Sequence, residues 1–331
     1  MSTFEQLQRD PLITQEGAKD LLNFNSDTLN DEDMKEKLFD LKHDQDHRFQ
    51  ISWWFVSARL TLLFRQYSVG ESVESMLEPA KLTFAEFERH YAMFPDEELK
   101  LKLWEANGYR YVMWLTGLAY LLWLKEYLPK IAHWISPNPD DGNDPLISLL
   151  FNRLGVEGAP SASELLHPKG YTPLYELLTQ TQDKTKQQTL MQTYIRGFYK
   201  NIMNQTVWKG WDKEGWIYFG FWSFEAGMIT HLLNLDDSGY RDMTFYPKDL
   251  VEYARTQQPA SSPMPNRYTG RTLRVGETCT STGWYEALLL NNRREHFTQG
   301  QGVGGEPLSA HGQTIVWYEL TPEAAKEYSH R

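Results

Sequence analysis

The segment from Trp216 to Arg255 constrains the fold most, because it places a carboxylate within the apolar face of a predicted helix. A helix over residues 221–235 with 3.6 residues per turn gathers the large apolar side chains on one side. These are Phe221, Trp222, Phe224, Met228, Ile229, Leu232, Leu233 and Leu235. Glu225 falls inside this apolar arc. Because an unpaired buried carboxylate is strongly destabilising, we expect Glu225 to meet an arginine, a lysine or several donors, or to open onto a pocket.

The opposite side of this predicted helix is small and polar. We expect it to face solvent or backbone, and it comprises Ser223, Gly227, Thr230 and Asn234. Helical spacing also dominates upstream, where the pattern from Asp31 to Tyr67 can be capped by Asp31 and ends at Gly70. The apolar run from Tyr111 to Leu124 is shorter than the ~20 residues of a membrane-spanning helix, so we interpret it as a buried core helix.

Four parts are predicted along the chain. Residues 1–100 form an N-terminal helical region, and residues 101–256 form a second one that carries the Glu225 segment. QQPASSPMPN, residues 257–266, contains three prolines and predicts a linker. Residues 267–331 hold short β-favouring pieces between Gly-rich turns. We therefore predict a mainly all-α, multi-helix antiparallel bundle with a small C-terminal antiparallel β module.

Charge and cysteine content narrow the function. With 44 acidic and 33 basic residues the net charge is -11, which argues against a direct nucleic-acid reader and favours a basic protein partner. The lone Cys279 excludes an intramolecular disulfide and a cysteine-rich metal site, and it fits a reducing cytoplasm. The N-terminus lacks the pattern of a signal peptide. We expect a cytoplasmic protein, not a membrane protein.

Two weak catalytic or metal-binding candidates have simpler structural interpretations. His43 and His47 lie four residues apart and could place two imidazoles on one helix face, but a third ligand and a zincin glutamate are missing, so a solvated charged face is preferred. Cys279 has no adjacent base that would activate it, and we interpret it as a packed thiol. No metal, cofactor or catalytic residue is predicted.

Acidic residues cluster after the Glu225 helix. The set comprises Glu225, Asp236, Asp237, Asp242 and Asp249, and it does not match the spacing of an EF-hand loop. For Asp249, which follows Pro247, we favour an ordinary role at a helix start. Asp236 and Asp237 remain open between a turn and a binding role.

Tryptophans fall into two groups. One group lies in apolar helices and is interpreted as core, and it comprises Trp53, Trp54, Trp114, Trp123 and Trp222. The other group, Trp208, Trp211 and Trp216, lies in the polar, Gly-broken stretch QTVWKGWDKEGW. There the rings either pin the loop to the bundle or form a recognition patch.

The Glu225 block resembles the C-terminal signature of PoNi-type immunity proteins. The similar elements are FWSFEA (residues 221–226), LDDS (235–238), Arg241 with Asp242, and YPKDL (246–250). LLFNRLG, PLYELL and YIRGFYKNI are similar to the central region of that family, and RFQISWWFVSARLTLLFRQYSVG is more loosely similar to its N-terminal part. The resemblance covers residues 31–256. WKGWDKEGW is only loosely similar, and the tail from Asn266 lies outside the common pattern and weakly resembles C-terminal modules on immunity proteins of type VI secretion effectors.

The resemblance implies a helical protein that binds and neutralises a cognate polymorphic toxin, a nuclease or another cytoplasm-acting effector. The partner would be the C-terminal domain of that toxin, with a basic active-site surface. The candidate toxin contacts are Glu225, Asp236, Asp237, Asp242, Trp208 and Trp211. Alternatively, Glu225 pairs with Arg241 or Arg196 and holds the bundle together. Two other functions stay open: a metal-dependent hydrolase that reverses a toxin-made modification, and a helical scaffold protein.

Overall fold

The helices begin near the N-terminus and continue to residue 257. The structure, a computed structural model, describes residues 3–137, 144–156, 164–257, 268–287, 293–304, 316–320 and 325. The α-helices are α1 (Phe4–Leu7), α2 (Gln15–Asn30), α3 (Glu32–Phe39), α4 (Gln45–Ser68), α5 (Leu77–Met93), α6 (Ala106–Leu121), α7 (Leu128–His133), α8 (Pro145–Arg153), α9 (Pro168–Thr179), α10 (Lys184–Asn201), α11 (Phe224–Leu232) and α12 (Lys248–Gln257). Short 3-10 turns lie at Glu74–Met76, Glu97–Leu99, Lys125–Tyr127, Met203–Gln205 and Trp211–Lys213.

Beyond α12, the described residues form an antiparallel sheet. Its strands are β1 (Tyr268–Arg274), β2 (Gly283–Ala287), β3 (Arg293–Phe297) and β4 (Val316–Leu320), arranged in the order β1-β4-β2-β3. Its own small core contains Leu273, Cys279, Tyr285, Phe297, Val303 and Trp317. The predicted mainly helical class with a C-terminal antiparallel β module is confirmed, and Cys279 is a buried thiol, as expected. The predicted linker, apart from Gln257, lies outside the described residues.

Aspartate caps mark where several helices begin, and one of them divides the helical pattern that starts at Asp31 into two helices. The side chain of Asp44 accepts a hydrogen bond from the backbone nitrogen of His47 (2.7 Å), which starts α4 at Gln45. The helical pattern that begins at Asp31 is therefore interrupted between α3 and α4. His43 precedes α4 and His47 lies in its first turn, so the two imidazoles, whose ring centroids are 5.6 Å apart, are not carried by one helix.

Helix α6 forms the centre of the helical body. All residues from Gly108 to Leu121 are buried, which confirms the expected core helix. It packs closely against α11 at Gly117, where an added Cβ atom would lie 2.7 Å from the backbone carbon of Phe224. A residue without a side chain is therefore required at this crossing.

Helix α11 is shorter than predicted and is buried on every side. It spans Phe224–Leu232 rather than residues 221–235, and all nine of its residues are buried. The side expected to face solvent or backbone is also covered: Thr230 is fully buried, and a Cβ atom on Gly227 would lie 2.8 Å from Pro247 Cγ. Only Asn234, beyond the helix, is exposed. The segment around Pro247 and helix α12 cover that side of α11.

One hydrophobic core joins the two predicted helical regions. It extends in sequence from Ile13 to Leu320, so β4 reaches it as well, and β1 contacts α9. The division near residue 100 stays a prediction. The β module is thus attached to the helical body by direct packing as well as by the chain.

Candidate functional site

Glu225 lies in a buried polar network that joins α6, α9, α10 and α11. Its Oε1 atom accepts a hydrogen bond from Arg110 Nη1 (2.7 Å) and another from the Ser223 hydroxyl (2.8 Å). Arg110 Nη2 donates to Glu225 Oε2, and the Tyr194 hydroxyl donates to Oε1. Arg110 Nη1 also donates to the Tyr171 hydroxyl (3.1 Å). Both members of the ion pair have fully buried side chains.

The partner of Glu225 is therefore neither of the two predicted arginines. Arg241 contacts Glu252 (3.2 Å) and lies 3.9 Å from Asp237, whereas Arg196 donates to Gln192 (3.3 Å) on the exposed surface of α10. The sequence signal for Arg110 is its position at the start of the apolar run of α6, where a buried guanidinium requires a counter-charge.

Electrostatic interactions keep Arg110 charged in this buried environment. Burial is the largest single influence and would lower the pKa of Arg110, but the charge and hydrogen bond of Glu225, together with Tyr171 and Tyr194, raise that pKa above its usual value. Burial, followed by the charge of Glu225, raises the pKa of Tyr194, so the phenol stays a hydrogen-bond donor. Glu225 therefore joins helices. As it is arranged here, its side chain is not available to a partner protein.

Asp237 also has a structural environment. Its side chain is nearly buried and accepts hydrogen bonds from the Tyr246 hydroxyl (3.0 Å) and from Arg255 Nη1 (3.2 Å). Arg255 also donates to the carbonyl of Leu235 (3.1 Å). The LDDS turn after α11 is thereby fixed to α12.

The other acidic candidates are exposed. Asp236 accepts from the backbone nitrogen of Ser238 (3.0 Å), and that hydrogen bond lowers the pKa of Asp236. Asp242 accepts from Lys248 Nζ (2.7 Å), which lowers the pKa of Asp242. Asp249 lies in the first turn of α12, where a helix-start role was expected for it, and it also pairs with Arg9 (2.5 Å) and so fastens the N-terminal segment to α12.

The tryptophan loop, defined as residues 207–217, divides its rings between core and surface. Trp208 is buried, with its ring centroid 4.7 Å from that of Trp114. Trp211 is half-buried and meets Phe219 edge-on at 6.1 Å. Trp216 is 51% exposed and contacts Phe24 of α2. The loop is thus pinned to the bundle through Trp208 and presents Trp216 to solvent.

This loop borders a groove of about 610 Å³, which we call the aromatic groove. Its walls come from α4, from residues 99–108 and from the tryptophan loop, and Phe24 of α2 lines one side. The groove includes Trp54, which was expected in the core but is 57% exposed. Trp114 and Trp222 are buried as expected, and Trp53 is partly buried in the wall of the groove.

An acidic stripe lies next to the groove on α2. We define it as Glu16, Asp20 and Asp27, which are spaced with Phe24 at intervals of three or four residues and therefore share one helix face. All three carboxylates are exposed, and none of them takes part in an ion pair within the described residues. Sequence reasoning missed this stripe, although its spacing is visible in the sequence.

Comparison with known protein families identifies the chain. One family model, described as PoNe immunity protein (PoNi), N-terminal, matches residues 9–133, and a second, described as PoNe immunity proteins (PoNi), C-terminal, matches residues 142–250. The chain belongs to the PoNi family. The resemblance predicted from the sequence is thereby confirmed, and membership supports an immunity function against a toxin. The β module, from Tyr268 onward, lies beyond both matched ranges.

The PoNi fold has a solved counterpart. Protein PA2201 from Pseudomonas aeruginosa aligns with a TM-score of 0.56 and 19% sequence identity, covering 75% of this chain and 92% of that chain. At this identity the similarity concerns the fold alone. No curated protein matches the chain.

Within this PoNi protein, the two matched ranges meet at the features described above. Arg110 belongs to the N-terminal range and Glu225 to the C-terminal range, and the aromatic groove takes residues from both. Across the described ranges, no group of three or more His, Cys, Asp or Glu side chains is placed to hold a metal ion. None of the described helices has the length and apolar character needed to cross a bilayer.

Proposed function

We propose that this PoNi protein protects its producing cell and kin by binding a cognate secreted antibacterial toxin directly and occluding the active site of that toxin. Membership of the PoNe immunity family carries the proposal. The protein acts as a stoichiometric inhibitor, without a catalytic step or a cofactor. Of the candidate contacts named from the sequence, Asp236, Asp242 and Trp211 retain accessible surface for such a role.

The charge of the protein supports a nuclease as the toxin. A nuclease needs a basic groove for phosphates, and a net charge of -11 gives this chain the opposite field. Opposite fields accelerate encounter, and carboxylates can occupy positions that phosphates take on the substrate. Because self-protection is needed where nucleic acid is cut, the proposed site of action is the cytoplasm.

Co-expression and co-purification with the C-terminal domain of the toxin encoded beside this gene test the proposal. We expect growth to be restored and a complex to form with a catalytically inactivated toxin domain. The association rate constant should decrease as ionic strength rises from about 0.01 M to 0.15 M, because the Debye length falls from roughly 30 Å to 8 Å. Absence of a complex together with undiminished toxicity would refute the proposal. Protection without a complex, by protein carrying stoichiometric Mg²⁺ or Mn²⁺, would instead favour the metal-dependent hydrolase.

A further inference from the structure

We infer that the aromatic groove is the anchor site for the toxin, and that it takes a large apolar or aromatic side chain with a lysine or arginine beside it. This inference rests on the proposed function and names the part of the surface that performs it. The groove lies between elements of both PoNi ranges, so the occupant contacts both halves of the fold.

The apolar part of the argument comes from exposure. Phe24, Trp54 and Val207 line the groove and are 56%, 57% and 61% exposed, and Trp216 adds a fourth exposed apolar side chain against Phe24. Grouped exposed apolar side chains mark interaction surfaces, and tryptophan is among the residues that contribute most to binding when covered. A volume of about 610 Å³ is within the range of pockets that enclose a ligand, so it has room for one or two large side chains.

Charge complementarity indicates which kind of toxin residue lies beside the apolar anchor. Asp20 and Asp27 lie one turn to either side of Phe24 on α2, and both are exposed. The lining of the groove itself also carries Lys100, together with Lys102, which is 3.9 Å from Glu105. A cationic residue of the toxin is therefore attracted to the α2 side of the groove, where Asp20 and Asp27 are exposed.

Hydrogen bonds within the protein fix the walls of the groove before any partner binds. Asn25 Nδ2 donates to Thr61 Oγ1 (2.9 Å), which ties α2 to α4, and the backbone nitrogen of Val207 donates to Asn107 Oδ1 (3.0 Å), which ties the tryptophan loop to α6. The hydroxyl of Tyr199, on α10, donates a hydrogen bond to Asp212 in the tryptophan loop. A site held in this way loses little conformational entropy when a partner binds.

Calorimetry of the full-length chain with the inactivated toxin domain tests the apolar anchor. Trp54→Ala should weaken the complex by about tenfold or more, in the range of interface residues that matter. Leu82→Ala, at a 51% exposed position on α5 outside the groove, is the matched control and should leave the dissociation constant unchanged. Equal melting temperatures of the three proteins would show that the effect arises at the interface.

Charge reversal tests the cationic neighbour. Asp20→Lys and Asp27→Lys should each slow association, with a larger effect at low salt, because the attraction becomes repulsion. Glu126→Lys, an exposed position beyond the far end of α6, is the control and should have a smaller effect.

The outcomes separate the two proposals. If the wild-type chain forms no complex, the proposed function fails. If the wild-type chain binds and the Trp54, Asp20 and Asp27 variants bind equally well, the groove is not the anchor, although the proposed function stands. A free chain that is dimeric in light scattering, and monomeric as Trp54→Ala, would also overturn the inference, because the groove would then hold a second copy.

Discussion

Arg110 and Glu225 form a two-pronged ion pair at the fully buried contact between α6 and α11. Glu225→Gln leaves the guanidinium of Arg110 without a counter-charge. Removing one partner of a buried pair typically costs about 3–5 kcal/mol, so we expect a decrease of that size in the free energy of unfolding measured with urea. Toxin binding by the fraction that remains folded should be retained.

Two further variants make this result interpretable. Asp236→Asn alters an exposed carboxylate and should change the free energy of unfolding by no more than about 0.5 kcal/mol. Replacing both Arg110 and Glu225 by apolar residues of similar volume should recover much of the lost stability, because no charge then remains buried. A Glu225→Gln protein of normal stability that no longer binds the toxin would show instead that Glu225 is a contact residue.

Two helical glycines should respond to alanine in opposite ways. At Gly117, the new methyl group would lie 2.7 Å from Phe224 backbone and side-chain carbons, and overpacking of this kind costs about 1–3 kcal/mol. At Gly197 of α10, the nearest atom is the flexible amide nitrogen of Asn201, so Gly197→Ala should gain roughly 0.5–1 kcal/mol from helix propensity. Urea denaturation of both variants checks the prediction, and equal effects would contradict the packing explanation.

The buried histidines predict a loss of stability in mild acid. Burial, and then the charge of Arg89, lowers the pKa of His90 to about 4. Burial, followed by the charges of Arg255 and Lys125, lowers the pKa of His231 to about 4 as well. In the unfolded chain both titrate near their usual value of about 6.5, so the unfolded state binds more protons below that pH. The free energy of unfolding should therefore decrease as the pH falls from about 6.5 to about 4.

A His231→Gln variant separates this effect from that of other groups. Burial raises the pKa of Asp10 and of Asp144, and these carboxyls act in the opposite direction at the acid end. Urea titrations at several pH values should show a shallower decrease in stability for the variant than for the wild type. Parallel pH profiles for the two proteins would mean that His231 does not titrate differently on folding.

A chain ending at Gln257 should still fold and bind the toxin. Both matched PoNi ranges end by residue 250, and the β module has a core of its own. Truncation removes Leu320 from the core of the helical body, and the loss of that buried contact should lower the free energy of unfolding by about 1.5–3 kcal/mol. For a protein of this size, each kcal/mol corresponds to a decrease of roughly 2–4 °C in melting temperature. Circular dichroism and calorimetry with the inactivated toxin domain check this. Loss of binding by a folded truncated chain would place part of the toxin site on the module.

The sequence predicted that Glu225 needs a counter-charge, but it did not predict which residue supplies that charge. A carboxylate in an apolar arc needs a counter-charge, and that follows from local spacing. The partner Arg110 lies 115 residues away, and its position depends on the crossing of two helices, which no local pattern encodes. Arg196 and Arg241 were nearer in sequence, but both point to accessible surface.

The sequence located the tryptophan loop but not the groove. Trp54 lies in an apolar stretch of α4, so its sequence surroundings are those of a core residue. Its exposure depends on how α2, α5 and the tryptophan loop pack around α4, which leaves one side of the ring uncovered. The break before α4 was more accessible to sequence reasoning, because Asp44 is a favourable cap. The acidic stripe was visible as spacing, yet its meaning depends on Phe24 lining the groove.

The Arg110–Glu225 pair also limits how the gene for this protein can recombine with a related one. An exchange that joins the first half of one immunity protein to the second half of another brings together two buried charges of separate origin. A hybrid that keeps only one of the two charges should be less stable by the same amount as Glu225→Gln, because the remaining charge would be buried without a partner. Surface residues around the groove carry no such restriction. Under the proposed role of the groove, new toxin specificities can therefore arise by substitution at its rim, while the central ion pair stays unchanged.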